Sequence, residues 1–390
     1  MIAILIFVTL ICCIFGIHLT YPIILKRLSH KNTHITSKNP ESQSNLSDSI
    51  LDLPIVSVVV PVYNEQLVIE RRIKNIYECT YPTNKLEIIV VDSGSDDKTR
   101  SIIEEKFTNK VILIREEHRK GKAHAINLAI KKCSGGIVII TDGPTLYDKD
   151  TILQLVNSLR NSSVGGATAL YNIPNATENQ TTASESAYWS YKDKIRILES
   201  KTHSTSWLSG EACAFKKGIV SHVDEDTLAD DSNIALQIIS KGYRTVVNER
   251  CYFTEKSPSG VNDYLKIKGR RALGGLIETL RFRSLLFRGE YGYFGLVIFP
   301  YRFFAQFISP IASCIAVVLA VPAAYEIGIY FGFYAQLFLG MALLGSALIF
   351  RDKIIAYMYL QLITIKAMIL LITRKANVNW YQSTTTRSHV

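Results

Sequence analysis

Hydrophobic residues gather at the two ends of the chain and recur as short β-branched runs through a polar middle. Met1 to Leu25 contain no Asp, Glu, Lys or Arg, and a helix of that length, at about 1.5 Å per residue, exceeds a roughly 30 Å hydrocarbon core. This predicts a membrane anchor over residues 1–25. A signal peptide is the competing reading, but no basic stretch precedes the apolar run and no small-residue cleavage site follows it. Phe303 to Tyr325 and Ile327 to Phe350 are also uncharged, with Glu326 between them and Arg351, Asp352 and Lys353 after them. They predict a helical hairpin inside a C-terminal membrane region, residues 289–375, ahead of a polar tail at 376–390. Ile354 to Thr373, interrupted by Lys366, reads as a further span, a re-entrant piece or an interfacial helix.

Residues 26–53 are rich in Ser, Asn, Lys and Thr with little apolar periodicity, the composition of a tether. From Pro54 the pattern changes. Ile55 to Val60, Leu86 to Val91 and Gly136 to Ile140 are β-branched runs with helical periodicity between them. Strands alternating with helices predict an α/β domain on a largely parallel sheet, over residues 54–261. In such sheets ligands collect outside the carboxyl ends of the strands. Tyr63, Asn64 and Glu65 follow the first run, Asp92 to Asp97 the second and Asp142 the third. One aspartate after a strand is ordinary turn chemistry, whereas three polar endings in register mark one edge of the sheet as a site. Residues 262–288 mix Leu, Ile and Phe with arginines and lysines, as in an interfacial amphipathic helix or a solvated basic one.

A net charge of +10 would suit nucleic acid, but much of the basic excess flanks the apolar spans, where anionic head groups attract it. Membrane lipids, and not nucleic acid, are the expected partner. Lys26, Arg27 and Lys31 after the first span, with Arg351 and Lys353 after the hairpin, put the polar middle on the cytoplasmic side. The seven cysteines include no CxxC pair, which points to reduced thiols and away from a disulfide framework or a zinc site. His118 and His124 lack acidic or thiol partners at ligand spacing and read as surface histidines.

The motifs carry a resemblance. Val58-Val59-Val60-Pro61-Val62-Tyr63-Asn64-Glu65 resembles the opening motif of membrane-bound family 2 glycosyltransferases of the GT-A fold, the group of the cellulose, hyaluronan and chitin synthases. Val90-Val91-Asp92-Ser93-Gly94-Ser95-Asp96-Asp97-Lys98-Thr99 is similar to their nucleotide-binding motif. The resemblance covers Val56 to Gly275 and the flanking spans. It implies a Rossmann-like nucleotide-diphospho-sugar transferase domain in which Tyr63, Glu65 and Asp92 contact the donor's base and ribose. Lys120-Gly121-Lys122 resembles a segment that opens a helix near the donor. From there Lys122 can approach diphosphate oxygens, although an exposed basic turn looks alike. Where the family carries Asp-x-Asp, this chain has Asp142-Gly143-Pro144, and proline has no side-chain oxygen for Mg²⁺ or Mn²⁺. Asp142 is thus a donor ligand and the one motif carboxylate for a divalent cation. The cation's shell could be completed by the donor's phosphates, or Lys122 and other basic residues could neutralise the leaving diphosphate instead.

Trp207-Leu208-Ser209-Gly210-Glu211 resembles the acceptor-side segment, with Gly210 as its close approach and Trp207 either stacked on a sugar ring or buried in the core. Thr227-Leu228-Ala229-Asp230-Asp231 resembles the Thr-Glu-Asp motif, which aligns Asp231 with the catalytic base and Asp230 with the glutamate. An Asp N-cap and a Gly242 stop around the following helix explain part of that pattern without catalysis. A helix N-terminus would lower the pKa of Asp231, while burial and neighbouring carboxylates would raise it. Lys268 to Gly275 stands where processive synthases carry Gln-x-x-Arg-Trp: Arg271 matches, but Lys268 and Ala272 replace the glutamine and tryptophan. The expected activity is a membrane-anchored, inverting transfer of a hexose from a nucleotide-sugar donor to a lipid-linked or polysaccharide acceptor. A processive polysaccharide synthase and a non-catalytic glycosyltransferase-like membrane protein are the alternatives.

Overall fold

Alternation along the first strand sets the architecture: Val56, Val58, Val60 and Val62 enter one hydrophobic core and Val59 the other, so helices must cover both faces. A computed structural model describes residues 1–36, 53–338, 340–341 and 351–373. Its strands are β1 Val56–Val62, β2 Leu86–Ser93, β3 Ile112–Glu116, β4 Ile137–Ile140, β5 Leu146–Tyr147, β6 Val164–Asn172, β7 Cys213–Lys216 and β8 Arg244–Thr254. Across the single sheet they run β3-β2-β1-β4-β7-β6-β8-β5. β3, β2, β1 and β4 are parallel, and the antiparallel β4–β7 and β7–β6 pairs make the far half mixed. The three β-branched runs of the sequence fall on β1, β2 and β4.

The helices are α1 Ile2–Thr36, α2 Ile69–Tyr77, α3 Thr99–Lys106, α4 Lys122–Lys132, α5 Thr151–Leu159, α6 Gln180–Thr202, α7 Asp230–Ser240 and α8 Val261–Arg281. After them come α9 Phe294–Phe331, with π-helical turns at Phe294–Ile298 and Phe304–Ile308, and α10 Arg351–Ile372. Ile69, Ile73 and Ile76 of α2 and Ile152, Leu155 and Val156 of α5 cover one face of the sheet. Ile126 and Ala129 of α4 and Ile234 and Ile238 of α7 cover the other.

Among the described helices, α1 and α9 are long and apolar enough to cross a membrane. They lie antiparallel: the Met1 amine is 2.6 Å from a Glu326 carboxylate oxygen, and Tyr21 stacks on Tyr301 with ring centroids 3.4 Å apart. Two boundaries differ from the pattern-based expectation. α1 continues past Leu25 through Lys26, Arg27 and Lys31, because basic residues end an apolar segment without breaking a helix. The break expected at Glu326 falls instead at Gly332, where φ is +83°, since Glu326 finds its partner within the helix pair. α10 packs on α8, burying Ala367 and Met368 against Leu273 and Leu276. Most of the expected linker (37–52), the end of the expected hairpin (342–350) and the polar tail (376–390) lie outside the described residues.

Candidate active site

The polar residues after β1 and β2 bind one another. The Asn64 amide donates to Ser95 Oγ at 2.9 Å and the Glu65 amide to Thr99 Oγ1 at 2.7 Å. In return the Asp96 amide donates to Asn64 Oδ1 at 3.0 Å. Asp92 is fully buried, its Oδ2 bonded by Arg100 at 2.8 Å and its Oδ1 accepting the Ser95 amide at 3.1 Å. Glu65 is also buried and lies over Gly143, where a Cβ would come 3.2 Å from its carboxyl carbon. Tyr63 offers its ring to Arg119, whose guanidinium carbon is 4.4 Å from the centroid. Strand-end chemistry thus builds one rigid double loop at the carboxyl edge of the sheet.

Beside that edge opens a cleft of about 270 Å³, lined by Lys122, Asp142, Trp207, Gly210, Asp230, Asp231 and Arg271 among others. Residues from five separate motifs therefore meet there, whereas Tyr63, Glu65 and Asp92 stand outside its lining. At its centre the Lys122 ammonium lies 2.8 Å from Asp142 Oδ1 and 3.2 Å from Asp230 Oδ2. Burial alone would pull the Lys122 pKa down, but the two carboxylates overcome it and raise it, so the amine stays charged. Gly210 makes room for this group: a Cβ there would sit 3.2 Å from Lys122 Nζ. A wider depression of about 910 Å³ between α2 and α3 lacks such chemistry, its Lys74 and Lys106 being paired with Glu70.

Asp231 stands in the first turn of α7, but the N-cap is Ala229 and no side chain caps the helix. Capping therefore does not explain the aspartate pair. Burial, followed by the neighbouring Asp230, raises the Asp231 pKa to about 7, so these effects outweigh the helix terminus. The Trp207 indole N–H donates to Asp231 Oδ2 and opposes the rise. Trp207 itself is half-buried, tilted against Trp189 at 5.0 Å and under the Arg196 guanidinium at 4.7 Å, so its faces already have protein partners. A base must be deprotonated to act, so activity should rise with pH through about 7. In Trp207→Phe the carboxylate loses a donor, and the acid limb of the pH–rate profile should move to higher pH. An unmoved limb would detach Trp207 from the base.

On the basic helix α8, Lys268, Arg271 and Arg281 turn towards protein carboxylates. Lys268 is buried, 2.8 Å from Glu185 Oε2, and Arg271 Nη1 lies 3.2 Å from Glu185 Oε1. Glu185 also accepts the Trp189 indole N–H at 2.8 Å. The residues that sequence reasoning missed, Glu185, Tyr188, Trp189 and Lys192, follow the three- and four-residue spacing of one face of α6, the one signal that could have exposed them. Glu211, Arg270 and Arg302 were missed as well, and all three line the cleft. His124 proves to be bracketed by Glu225 at 3.0 Å and Glu116 at 3.4 Å, not a free surface imidazole. For a divalent cation the motif supplies Asp142 alone, and that carboxylate already faces an ammonium. No group of three or more His, Cys, Asp or Glu is placed to hold a metal ion among the described residues.

Residues 57–224 match the family described as glycosyl transferase family 2. The Bacillus subtilis protein named "Probable glycosyltransferase YdaM" is 24% identical over 315 residues, 74% of this chain and 71% of that protein. Poly-beta-1,6-N-acetyl-D-glucosamine synthase of Staphylococcus aureus is 26% identical over 235 residues, 59% of this chain and 57% of the synthase. The match to the synthase thus spans little more than half of its length. A mannosyltransferase from Pyrobaculum calidifontis, solved in complex with GDP-Man and Mn²⁺, shares the fold with a TM-score of 0.75 at 26% identity, over 96% of this chain and 100% of that one. The open sheet with its acidic strand ends beside one cleft agrees with these matches: residues 57–224 are a family 2 glycosyltransferase domain of GT-A fold, which makes the chain a transferase.

Proposed function

We propose that the chain is a membrane-associated, inverting glycosyltransferase that moves a hexose from a nucleotide-diphosphate donor to a lipid-linked or polysaccharide acceptor. The observation that carries this reading is Asp231, a cleft carboxylate with a pKa near 7, close to the ammonium that binds Asp142 and Asp230. An acceptor hydroxyl gives its proton to Asp231 as its oxygen bonds the anomeric carbon, and the bond from that carbon to the diphosphate breaks. Lys122 and Arg270 offer positive charge for the leaving diphosphate. The double loop of Tyr63, Glu65 and Asp92 serves as the nucleotide side, where Asp92 acts by fixing the loop through Arg100 and Ser95. Processive growth gains no support, because Ala272 provides no aromatic platform for a polymer. Purified membranes incubated with a panel of nucleotide sugars should release nucleotide from one of them in the presence of acceptor lipids. Silence across the panel would remove the catalytic reading.

The Mn²⁺ bound in the archaeal mannosyltransferase makes a divalent cation plausible here. Asp142 would be its motif ligand and the donor's oxygens the rest of its shell. With one carboxylate in place of two, the affinity should be weak. Pro144→Asp should lower the half-saturating Mn²⁺ concentration about tenfold, since ligand charge count tunes affinity over decades. Full activity in strong chelator, unchanged in the variant, would mean that no ion takes part.

Lys26, Arg27 and Lys31, at the end of the apolar part of α1, favour a cytoplasmic catalytic domain. Cys133 and Cys251 are 4% and 1% exposed and cannot report sidedness, so an exposed position is needed. The Asp226 side chain is 75% exposed. In a background lacking Cys12, Cys13 and Cys314, Asp226→Cys should resist an impermeant maleimide in intact cells and react after permeabilisation. Reaction in intact cells would invert the topology.

A further inference from the structure

Charged side chains around the cleft are mostly neutralised by the chain itself. Lys122 has Asp142 and Asp230, Lys268 and Arg271 share Glu185, and Arg281 has Asp224, Asp226 and Glu278. Three cations of the same cleft differ: Arg270 on α8, which donates to the Leu228 carbonyl at 3.4 Å, and, nearer the apolar helices, Lys192 on α6 and Arg302 on α9. Arg302 donates to neutral oxygens, Nε to Thr279 Oγ1 at 2.9 Å and Nη1 to the Ser206 carbonyl at 2.8 Å. The Lys192 ammonium lies 5.8 Å from the Tyr188 ring. None of the three makes an ion pair with a carboxylate among the described residues. Glu199 acts on both Lys192 and Arg302, accepting from Tyr21 Oη at 2.7 Å with its pKa raised by burial, and Glu278 and Asp231 act on Arg302 without pairing with it. A cation held by neutral partners keeps its field for a ligand.

The position of these cations says what kind of ligand. Tyr301, one turn-neighbour of Arg302 on α9, lines the cleft and stacks on Tyr21 of α1, and α1 and α9 are the two helices able to cross a membrane. Tyr191, beside Lys192, is 51% exposed, and on α1 Leu19 and Ile23, flanking Tyr21, are 67% and 52% exposed. Tyrosines and cations above a bare aliphatic surface match the boundary between head groups and acyl chains. Arg270 and Lys122 stand apart from this mouth, with the Asp142 and Asp230 carboxylates.

We propose that Lys192 and Arg302 bind the phosphate of a phosphorylated long-chain lipid, which lies with its chain along α1 and α9 and is the acceptor. The word acceptor rests on the glycosyl-transfer reading; the lipid-phosphate site does not. Calorimetry on the full chain in neutral detergent, with farnesyl phosphate, farnesol and inorganic phosphate as probes, tests it without turnover. Farnesyl phosphate should bind at least about tenfold more tightly than either farnesol or inorganic phosphate, needing both anion and chain. Lys192→Gln should lower its affinity about tenfold, the range expected for one lost charge contact. That variant should leave nucleotide-sugar affinity and farnesol binding unchanged. Arg302→Lys, which keeps the charge, should retain more affinity than Arg302→Gln, and thermal melting of each variant separates misfolding from lost contact. Equal binding of alcohol and phosphate, or tight binding of inorganic phosphate, overturns the proposal. So does a Lys192→Gln variant that loses nucleotide sugar and keeps farnesyl phosphate, which would give these cations to the donor. Absence of nucleotide release in the sugar panel would remove the transfer reading and leave this binding result standing.

Discussion

Asp231→Asn should slow transfer by on the order of 100-fold to 10,000-fold, the usual cost of losing a general base, while donor binding and thermal stability stay near wild type. The substitution keeps the shape of the side chain. Its carbonyl oxygen can keep one of the two bonds that Asp231 receives, from the Trp207 indole on Oδ2 or from the Ser232 amide on Oδ1 at 2.7 Å, while the other donor comes to face the new NH2 group. No cap is lost, because α7 begins on Ala229 without a side-chain cap. What disappears is the proton acceptor, whose pKa near 7 leaves it about half-ionised at neutral pH and strong enough as a base to take a hydroxyl proton. Asp230→Asn is the necessary control. Asp230 sits 3.2 Å from the Lys122 ammonium and raises the Asp231 pKa, so its loss should move the acid limb to lower pH and reduce the rate by less. Stopped-flow or radiolabel assays of transfer over pH 5–9 give both numbers. Near-normal transfer by Asp231→Asn with loss in Asp230→Asn would put the base one residue earlier, and full activity in both would end the catalytic reading of the pair.

The sheet and much of the cleft were legible because strand ends and helix starts are punctuated locally. The runs that became β1, β2 and β4 are bounded by polar endings, and Lys122 and Asp230-Asp231 each stand at a helix start that brings them to one edge, with Gly210 in the loop before β7. What could not be read is where a cation's partner lies. A basic amphipathic pattern such as 262–288 is the same whether its charges meet lipid phosphates or buried carboxylates. Here the answer is Glu185, 86 residues before Arg271 on a helix whose polar residues look like a solvated face. The sequence likewise left open what Trp207 does, because a half-buried indole can stack or donate; the fold brings its N–H to Asp231. Lys268, read as a lapse from a glutamine motif, proves to be half of an ion pair.

That ion pair carries the second large effect. Glu185→Ala should destabilise the protein by about 3–5 kcal/mol, the typical result of removing one partner from a buried pair. Lys268, 5% exposed, and Arg271 would share a pocket without a counter-charge, and the Trp189 indole would lose its acceptor. Burial raises the Glu185 pKa and Lys268 and Arg271 lower it by more, so the net direction is down. At Lys268 burial wins and the pKa falls. The Glu185 contribution should therefore be complete above the ordinary carboxylate pKa of about 4.5 and fade as the pH falls through the lower folded value. Arg271 cannot shed its proton to relieve the strain. Thermal melting of the full chain in detergent should show a large drop for Glu185→Ala, and a smaller one when Lys268→Met accompanies Glu185→Met, because replacing a buried pair by apolar groups of similar size is close to neutral. If the single variant melted with wild type, the hub would be ornament; if the double variant melted lower than the single, packing and not charge would hold α6 against α8.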